Sequence, residues 1–344
     1  MFNHGIACGD LTLWHNTPHS PPAMTMSEKE HAAGIATENP TEALPRRFLA
    51  PRYWGVWIGM GLLWSLLLLP QRLRVAIGAR LGDLFYHAAK RARFAAARNL
   101  ELCFPELSAE RRYELLRRHF RAFGAAMMGV SLIWWAKAPR LRKLVRFRNR
   151  AHYDQALAAG RKVILLAPHF LGLEVAGVFL AHERRIISMY KEPDNDLVDW
   201  LMRRSRLRFG GALFERDSHL KGLIRLIRAG YPFYYLPDQN PGDAAHVFAP
   251  FFGVPTATLT ALSRIARLTD AVVIPCFTRL LPKGEGYELI FHAPLANFPS
   301  GDDMVDATAM NAAIEAGARE MPEQYMWTYK RFKQRPPGTP RLYD

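Results

Sequence analysis

The sequence predicts an α/β fold, a largely parallel sheet flanked by helices over residues 151–340, preceded by a membrane helix and a helical segment. Two observations predict it. From residue 151 onward, short runs rich in β-branched and aromatic residues alternate with longer amphipathic runs, the rhythm of strand–helix–strand units. An apolar content of 49% over 344 residues supplies enough side chains to bury a sizeable core.

In chain order, residues 1–45 hold Pro, Ser, Thr, Asn and acidic residues without a lasting hydrophobic period, and read as a disordered extension. No apolar run near the start has the length of a secretory signal, and Met24 or Met26 is an alternative start. Residues 46–72 contain the uncharged stretch Tyr53–Leu69, with Tyr53, Trp54 and Trp57 at one end as an interfacial belt would have them. As a helix it would reach roughly 25 Å, the short end for a bilayer crossing, so it is expected to span or embed deeply. Arg72, Arg74, Arg80, Lys90, Arg91 and Arg93 follow it, against Arg46, Arg47 and Arg52 before it, which places the following domain on the cytoplasmic side.

Residues 73–150 repeat apolar positions at three- and four-residue steps with basic residues between them, a helical pattern broken at Pro105 and restarted at Ser108, a serine N-cap. The strand candidates after residue 151 are "KVILLA" (162–167), "IISM" (186–189), "FYYL" (233–236), "AVVIPCF" (271–277) and "YELIF" (287–291). Helices are expected in "DLVDWLMRRSRLRF" and "HLKGLIRLIRAG". Three scattered cysteines form no C-x-x-C and no disulfide framework. The net charge of +15 predicts an acidic partner: nucleic acid, an anionic membrane or an acidic protein.

One constellation carries chemistry. "LLAPHFLGLEVAG" (165–177) runs a strand into Pro168 and His169, with Gly172 allowing a turn and Glu174 five residues on. Twelve histidines and 31 acids predict about one such pair by chance, and the chain holds one, so the spacing decides nothing. Its place does: ligands in parallel sheets meet the carboxyl ends of strands. A carboxylate on one imidazole nitrogen would leave the other as a general base. The alternative is a buried structural histidine. No G-x-S-x-G, G-x-x-x-x-G-K-[ST] or H-E-x-x-H motif is present, so a base at His169 would activate a nucleophile belonging to the substrate.

"APHFLGLE" resembles the H-x-x-x-x-[DE] block of the glycerolipid and lysophospholipid acyltransferases. "NLELCFPELSAERR", "MYKEPDNDLVDWLMRRSRLRFGG", "YYLPDQNPGDAAHVFAPFFGVPTAT" and "PEQYMWTYKRFKQRPPG" resemble, in order, blocks of the bacterial lipid A late acyltransferases, the lauroyl/myristoyl family. The resemblance covers about residues 50–340 and implies a glycerol-3-phosphate acyltransferase-like core. It implies that His169 is the base, Glu174 the carboxylate that polarises it, and Arg206 a holder of phosphate or oxyanion, with Arg208 its rival. It implies further that Asp238 orders the site beside Gln239, that Tyr190, Lys191 and Asn195 lie near substrate, and that Phe251 and Phe252 lie beside an acyl chain. Asn240 replaces the family's second acid after "DQ", and Tyr329 with Lys330 replaces its usual His-Arg.

The implied reaction is direct O-acyl transfer, without a metal or nicotinamide cofactor. Its donor would be acyl–acyl carrier protein and its acceptor a Kdo-bearing lipid A precursor, at the cytoplasmic face of a Gram-negative inner membrane. A lysophospholipid or other glycolipid acceptor is the alternative. Nucleic-acid binding through the basic helices is the rival from another class, and the apolar Tyr53–Leu69 stretch argues against it.

Overall fold

The computed structural model describes residues 35–36 and 43–343, apart from Lys191 and residues 216–219. The expected extension at 1–45 therefore falls almost wholly outside the described residues. A two-residue strand, β1 (Ile35–Ala36), precedes the first helices: α1 (Trp54–Ser65), α2 (Gln71–Ala88), α3 (Lys90–Cys103), α4 (Ala109–Met127), α5 (Val130–Trp135) and α6 (Ala138–Leu144). The break at Pro105 holds, and the Ser108 hydroxyl caps α4 by accepting from the Arg111 amide at 3.3 Å.

From there strands and helices alternate: β2 (Val145–Arg148), α7 (Ala151–Ala158), β3 (Lys162–Leu166), α8 (Leu173–Glu183), β4 (Ile187–Tyr190), α9 (Asp196–Leu207), β5 (Ala212–Glu215), α10 (Leu220–Arg228) and β6 (Phe233–Tyr235). A hairpin, β7 (His246–Phe251) with β8 (Val254–Leu259), precedes α11 (Ala261–Thr269), β9 (Ala271–Leu280), β10 (Tyr287–Phe291) and α12 (Asp303–Glu320). All five sequence-predicted strands form. β2 hides in a run that reads as basic, because Val145 turns inward while Arg146 stays out.

The main sheet has the order β1-β5-β4-β6-β3-β9-β10-β2. Pairing is parallel from β5 through β9 and between β10 and β2, and antiparallel at β1–β5 and β9–β10. Central strands of such a sheet are buried on both faces, and β3 shows it. Val163 and Leu165 join one apolar cluster with α5–α8, while Ile164 and Leu166 join a second with α3, α4 and α10–α12. The helical segment 73–150 therefore forms part of the layers that cover the sheet: Leu100, Cys103, Leu115 and Phe120 share a cluster with Phe170 and Phe277.

The N-terminal apolar stretch differs from expectation. The chain leaves α-helical geometry at Ser65, passes through a 3₁₀ turn at Leu66–Leu68 and becomes extended at Leu69 ahead of Pro70. Twelve residues of α-helix rise roughly 18 Å, well short of the ~30 Å hydrocarbon layer. Among the described residues no helix is long and apolar enough to cross a membrane. One side of α1 packs instead on α9, where Phe48, Tyr53 and Met60 meet Leu197 and Leu201. Its other side exposes Trp54, Ile58, Leu62 and Trp64. Arg74 is not part of the flanking charge either: it is buried, donates to the Ser131 hydroxyl at 3.0 Å, and pairs with Gln71.

α2 and α4 cross backbone to backbone. A Cβ added at Gly82 would fall on the Phe120 carbonyl, and one at Gly124 on the Gly78 carbonyl. Gly124→Ala is therefore expected to force these helices apart and cost about 1–3 kcal/mol, read as a lowered midpoint in urea unfolding. An unchanged midpoint would show that the crossing yields freely.

Candidate active site

His169 leaves the carboxyl end of β3 behind Pro168, and the C-terminal segment of the chain fixes its loop. Phe170 pairs with Tyr325 in an antiparallel bridge, with Leu171 N–H donating to the Gln324 carbonyl and Met326 N–H to the His169 carbonyl, both at 2.9 Å. That segment is held in turn by the N-terminal helices. Asn99 of α3 donates to the carbonyls of Trp327 at 2.6 Å and Tyr329 at 2.7 Å. The Nδ1–H of His119 on α4 donates to the Glu323 carbonyl at 3.0 Å. His119 is fully buried, and burial pulls its imidazole down to about 4, so it sits there neutral.

The carboxylate on the His169 ring is Asp238. Its Oδ1 lies 2.6 Å from Nδ1, and its Oδ2 accepts the His169 backbone N–H at 2.8 Å and the Tyr325 hydroxyl at 3.1 Å. Nδ1 must donate to an ionised acid, which leaves the lone pair on Nε2, 3.0 Å from the Gln239 side-chain nitrogen. A substrate hydroxyl has to take that place to be deprotonated. Asp238 is 2% exposed, so desolvation alone would raise its pKa. The His169 charge and hydrogen bonds, with the Arg331 charge behind them, hold it below the usual carboxylate range. Burial likewise pulls His169 down, but the Asp238 charge and hydrogen bond, with the Glu174 charge added, bring it above an ordinary histidine.

This corrects the sequence-based expectation that Glu174 polarises His169. Glu174 lies in the first turn of α8 and accepts from Arg206 Nη2 at 2.6 Å. Five residues of turn-then-helix carry its carboxylate to α9, whereas the β6 end delivers Asp238 to the ring. Glu174 reaches His169 only through its charge. The pair Glu174–Arg206 borders a narrow apolar cavity of about 70 Å³ with Val178, Ile186 and Leu213. His169, Asp238 and Gln239 line a larger one of about 420 Å³ with Phe123, Met127, Tyr325, Met326, Thr328, Tyr329 and Arg331. No serine or cysteine lines the larger pocket among the described residues.

The other predicted residues take structural positions. Asn195 caps α9, accepting from Leu197 N–H at 3.1 Å and Val198 N–H at 3.2 Å. The Tyr190 hydroxyl accepts from Arg203 at 2.7 Å. Arg208 donates to the carbonyls of Trp134 at 3.1 Å and Leu132 at 3.2 Å, capping α5, and burial lowers its pKa to about 10. Phe251 and Phe252 are core residues of the β7–β8 hairpin, packed on Tyr325 and Trp327, and line neither cavity. Lys191 lies outside the described residues.

Sequence reasoning missed Tyr325, Arg331 and the pins Asn99 and His119. The "PEQYMWTYKRFKQRP" block flagged the region, but nothing in its run of basic residues marks Arg331 as the buried one. Tyr329 accepts the Asn240 N–H on its hydroxyl at 2.8 Å and so steadies the loop after Asp238.

The family model described as bacterial lipid A biosynthesis acyltransferase matches residues 43–334. A lipid A biosynthesis lauroyltransferase of Escherichia coli K12 is 35% identical over 86% of this chain and 96% of its own length. A lipid A biosynthesis acyltransferase of Haemophilus influenzae is 37% identical over 86% of this chain and 93% of its own. A lipid A biosynthesis myristoyltransferase of E. coli K12 is 31% identical over 89% and 96%.

Asp238→Asn removes the largest influence that raises His169, so the imidazole titration seen by NMR should move to lower pH. Sign and window follow from the raised value. The wild-type pair adds stability below the unfolded histidine pKa and loses it as pH rises through the folded one, and the variant loses that dependence. A titration that stays put would place the controlling charge elsewhere.

Proposed function

The chain belongs to the bacterial lipid A biosynthesis acyltransferase family, and from that premise we propose that it transfers a fatty acyl chain from acyl–acyl carrier protein to a hydroxyl of a phosphorylated, Kdo-bearing lipid A precursor. That the chain is an acyltransferase follows from its relatives, 28–37% identical and named as lipid A biosynthesis acyltransferases and lauroyl-, palmitoleoyl- and myristoyltransferases. Donor, acceptor and mechanism are our reading of the site. The observation that carries it is the arrangement of His169, a base-competent Nε2 at the polar end of a 420 Å³ pocket walled by Phe123, Met127 and Met326.

In this mechanism Asp238 fixes the Nδ1–H tautomer and stabilises the imidazolium. Nε2 takes the proton of an acceptor hydroxyl, whose oxygen attacks the donor thioester directly. The His169 pKa lies above that of an ordinary histidine, and activity falls as pH drops through it. Glu174 adds negative charge toward His169 and holds Arg206 at the neighbouring cavity.

His169→Ala should keep the fold and lower transfer by about 10²–10⁴-fold in an acyl–acyl carrier protein assay. Near-wild-type turnover would remove His169 from the chemistry. Mass spectrometry of lipid A from a deletion strain tests the acceptor: loss of one acyl chain supports it, and an unchanged pattern favours a lysophospholipid or other glycolipid.

The exposed apolar side of α1, with Trp54, Ile58, Leu62 and Trp64, continues past Leu68 to Leu73 on α2, with exposed Arg72 and Arg80 close by in the chain. Apolar side chains with neighbouring cations suit the interface of an anionic bilayer, so α1 lies in the cytoplasmic face of the inner membrane without spanning it. Ile58→Glu with Leu62→Glu should reduce co-sedimentation with phosphatidylglycerol-containing vesicles by tenfold or more while leaving the melting temperature unchanged. Equal binding would put the membrane contact elsewhere.

A further inference from the structure

Gln239 closes the base against the pocket it serves. Its side-chain nitrogen lies 3.0 Å from His169 Nε2, and among the described residues the amide makes no other hydrogen bond. Which end of the amide faces the ring follows from the other side of the imidazole. Asp238 takes the Nδ1–H, so Nε2 carries a lone pair and is met by a donor, the amide N–H. Nε2 has a single lone pair, so while this bond stands it takes up no other hydrogen.

The backbone that carries this side chain is held on both sides. Asp238 before it is bonded to the His169 N–H, the His169 ring and the Tyr325 hydroxyl. The Asn240 N–H after it donates to the Tyr329 hydroxyl at 2.8 Å. The Gln239 side chain itself is only half-buried and lines the same cavity of about 420 Å³ as His169, so it can swing on its own torsions while the loop stays in place. A cavity of that size has room for several waters. Direct transfer leaves the donor thioester in this pocket beside a general base, with no covalent intermediate to shelter it. Water activated by the same base would hydrolyse it.

We propose that Gln239 is a positioning residue that gates His169, its amide capping Nε2 against water and giving way to the acceptor hydroxyl. The inference rests on the direct-transfer mechanism above. Displacing the amide costs one hydrogen bond, whichever molecule displaces it. The acceptor offsets that cost with contacts remote from its hydroxyl, and water has no such contacts. In the side reaction, Nε2 takes one proton of water as the water oxygen bonds to the thioester carbon. The C–S bond then breaks, the sulfur takes that proton from Nε2, and a free fatty acid and the carrier thiol are released. With the acceptor hydroxyl in the place of water, the same transfers give the ester and the same thiol.

The test uses the full chain with acyl–acyl carrier protein and whichever acceptor the wild-type protein acylates, and reads free fatty acid and acylated acceptor from one reaction. Their ratio does not depend on how much of a variant is folded. Gln239→Ala should raise hydrolysis relative to transfer about fivefold, the effect of one neutral hydrogen bond. Gln239→Met, which keeps the bulk and loses the donor, should match it. In the wild-type protein the Gln239 side-chain amide resonances should titrate with His169, since a protonated Nε2 repels the amide N–H. An unchanged ratio for Gln239→Ala would overturn the proposal. So would a wild-type ratio for Gln239→Met, which would make the side chain a steric plug, or an amide that ignores the His169 titration. Adding His169→Ala to Gln239→Ala should abolish the extra hydrolysis, and its persistence would overturn the gate by taking that reaction away from His169. A wild-type protein that leaves acyl–acyl carrier protein intact overturns the functional reading and the gate with it, whereas an unchanged ratio in an active protein overturns the gate alone.

Discussion

A carboxylate at 2% exposure cannot remain ionised unless the chain surrounds it with donors, and Asp238 sets that requirement for the site. Three groups meet it: the His169 ring, the His169 backbone N–H and the Tyr325 hydroxyl. Both hydrogen bonds from His169 go to one carboxylate, so backbone and ring are fixed together. The imidazole is held in one tautomer and one orientation, which is what a general base needs. Tyr325 can serve because burial and the Asp238 charge both raise its pKa, so its phenol keeps its proton and donates.

Tyr325 comes from 87 residues further along the chain than Asp238, so the requirement reaches through the fold. The segment that carries it has no regular pairing beyond one bridge at Phe170. Asn99 and His119 pin its carbonyls from α3 and α4, and Gln324 ties it to both backbone groups of Leu280 on β9, donating at 3.0 Å and accepting at 2.7 Å. The helices that read as a preamble to the α/β region thus act as the outer support of the loop that carries His169.

The basic character of the chain divides along similar lines. A charge of +15 reads as a surface meant for acidic partners, yet Arg74 and Arg331 are buried and Arg208 caps carbonyls. Arg148 of β2 and Arg279 of β9 pair with Glu288 of the intervening β10 and Glu320 of α12. What remains exposed near α1 and α2 stands beside apolar side chains, and that combination, rather than net charge, supports a bilayer over a nucleic acid.

The sequence by itself determined the strand–helix rhythm, the helices on either side of Pro105, the position of His169 at a strand end and the family blocks around it. These are local patterns: alternation, periodicity, capping at Ser108, residues spaced along one stretch. It could not assign the His169 carboxylate, because Glu174 is near in sequence but is turned by α8 toward Arg206, while Asp238 is 69 residues away and is brought in by the parallel pairing of β6 with β3. Nor could it tell the buried Arg331 from its exposed neighbour Lys330, since burial depends on the hairpin and the C-terminal segment closing over the side chain. The apolar stretch at Tyr53–Leu69 was legible in composition alone. Packing of one side on α9 and a chain that turns extended at Leu69 decided that α1 stops after twelve residues. Tertiary structure chose the partners because hydrogen bonds and desolvation act across space, and this fold brings together residues that the sequence keeps far apart.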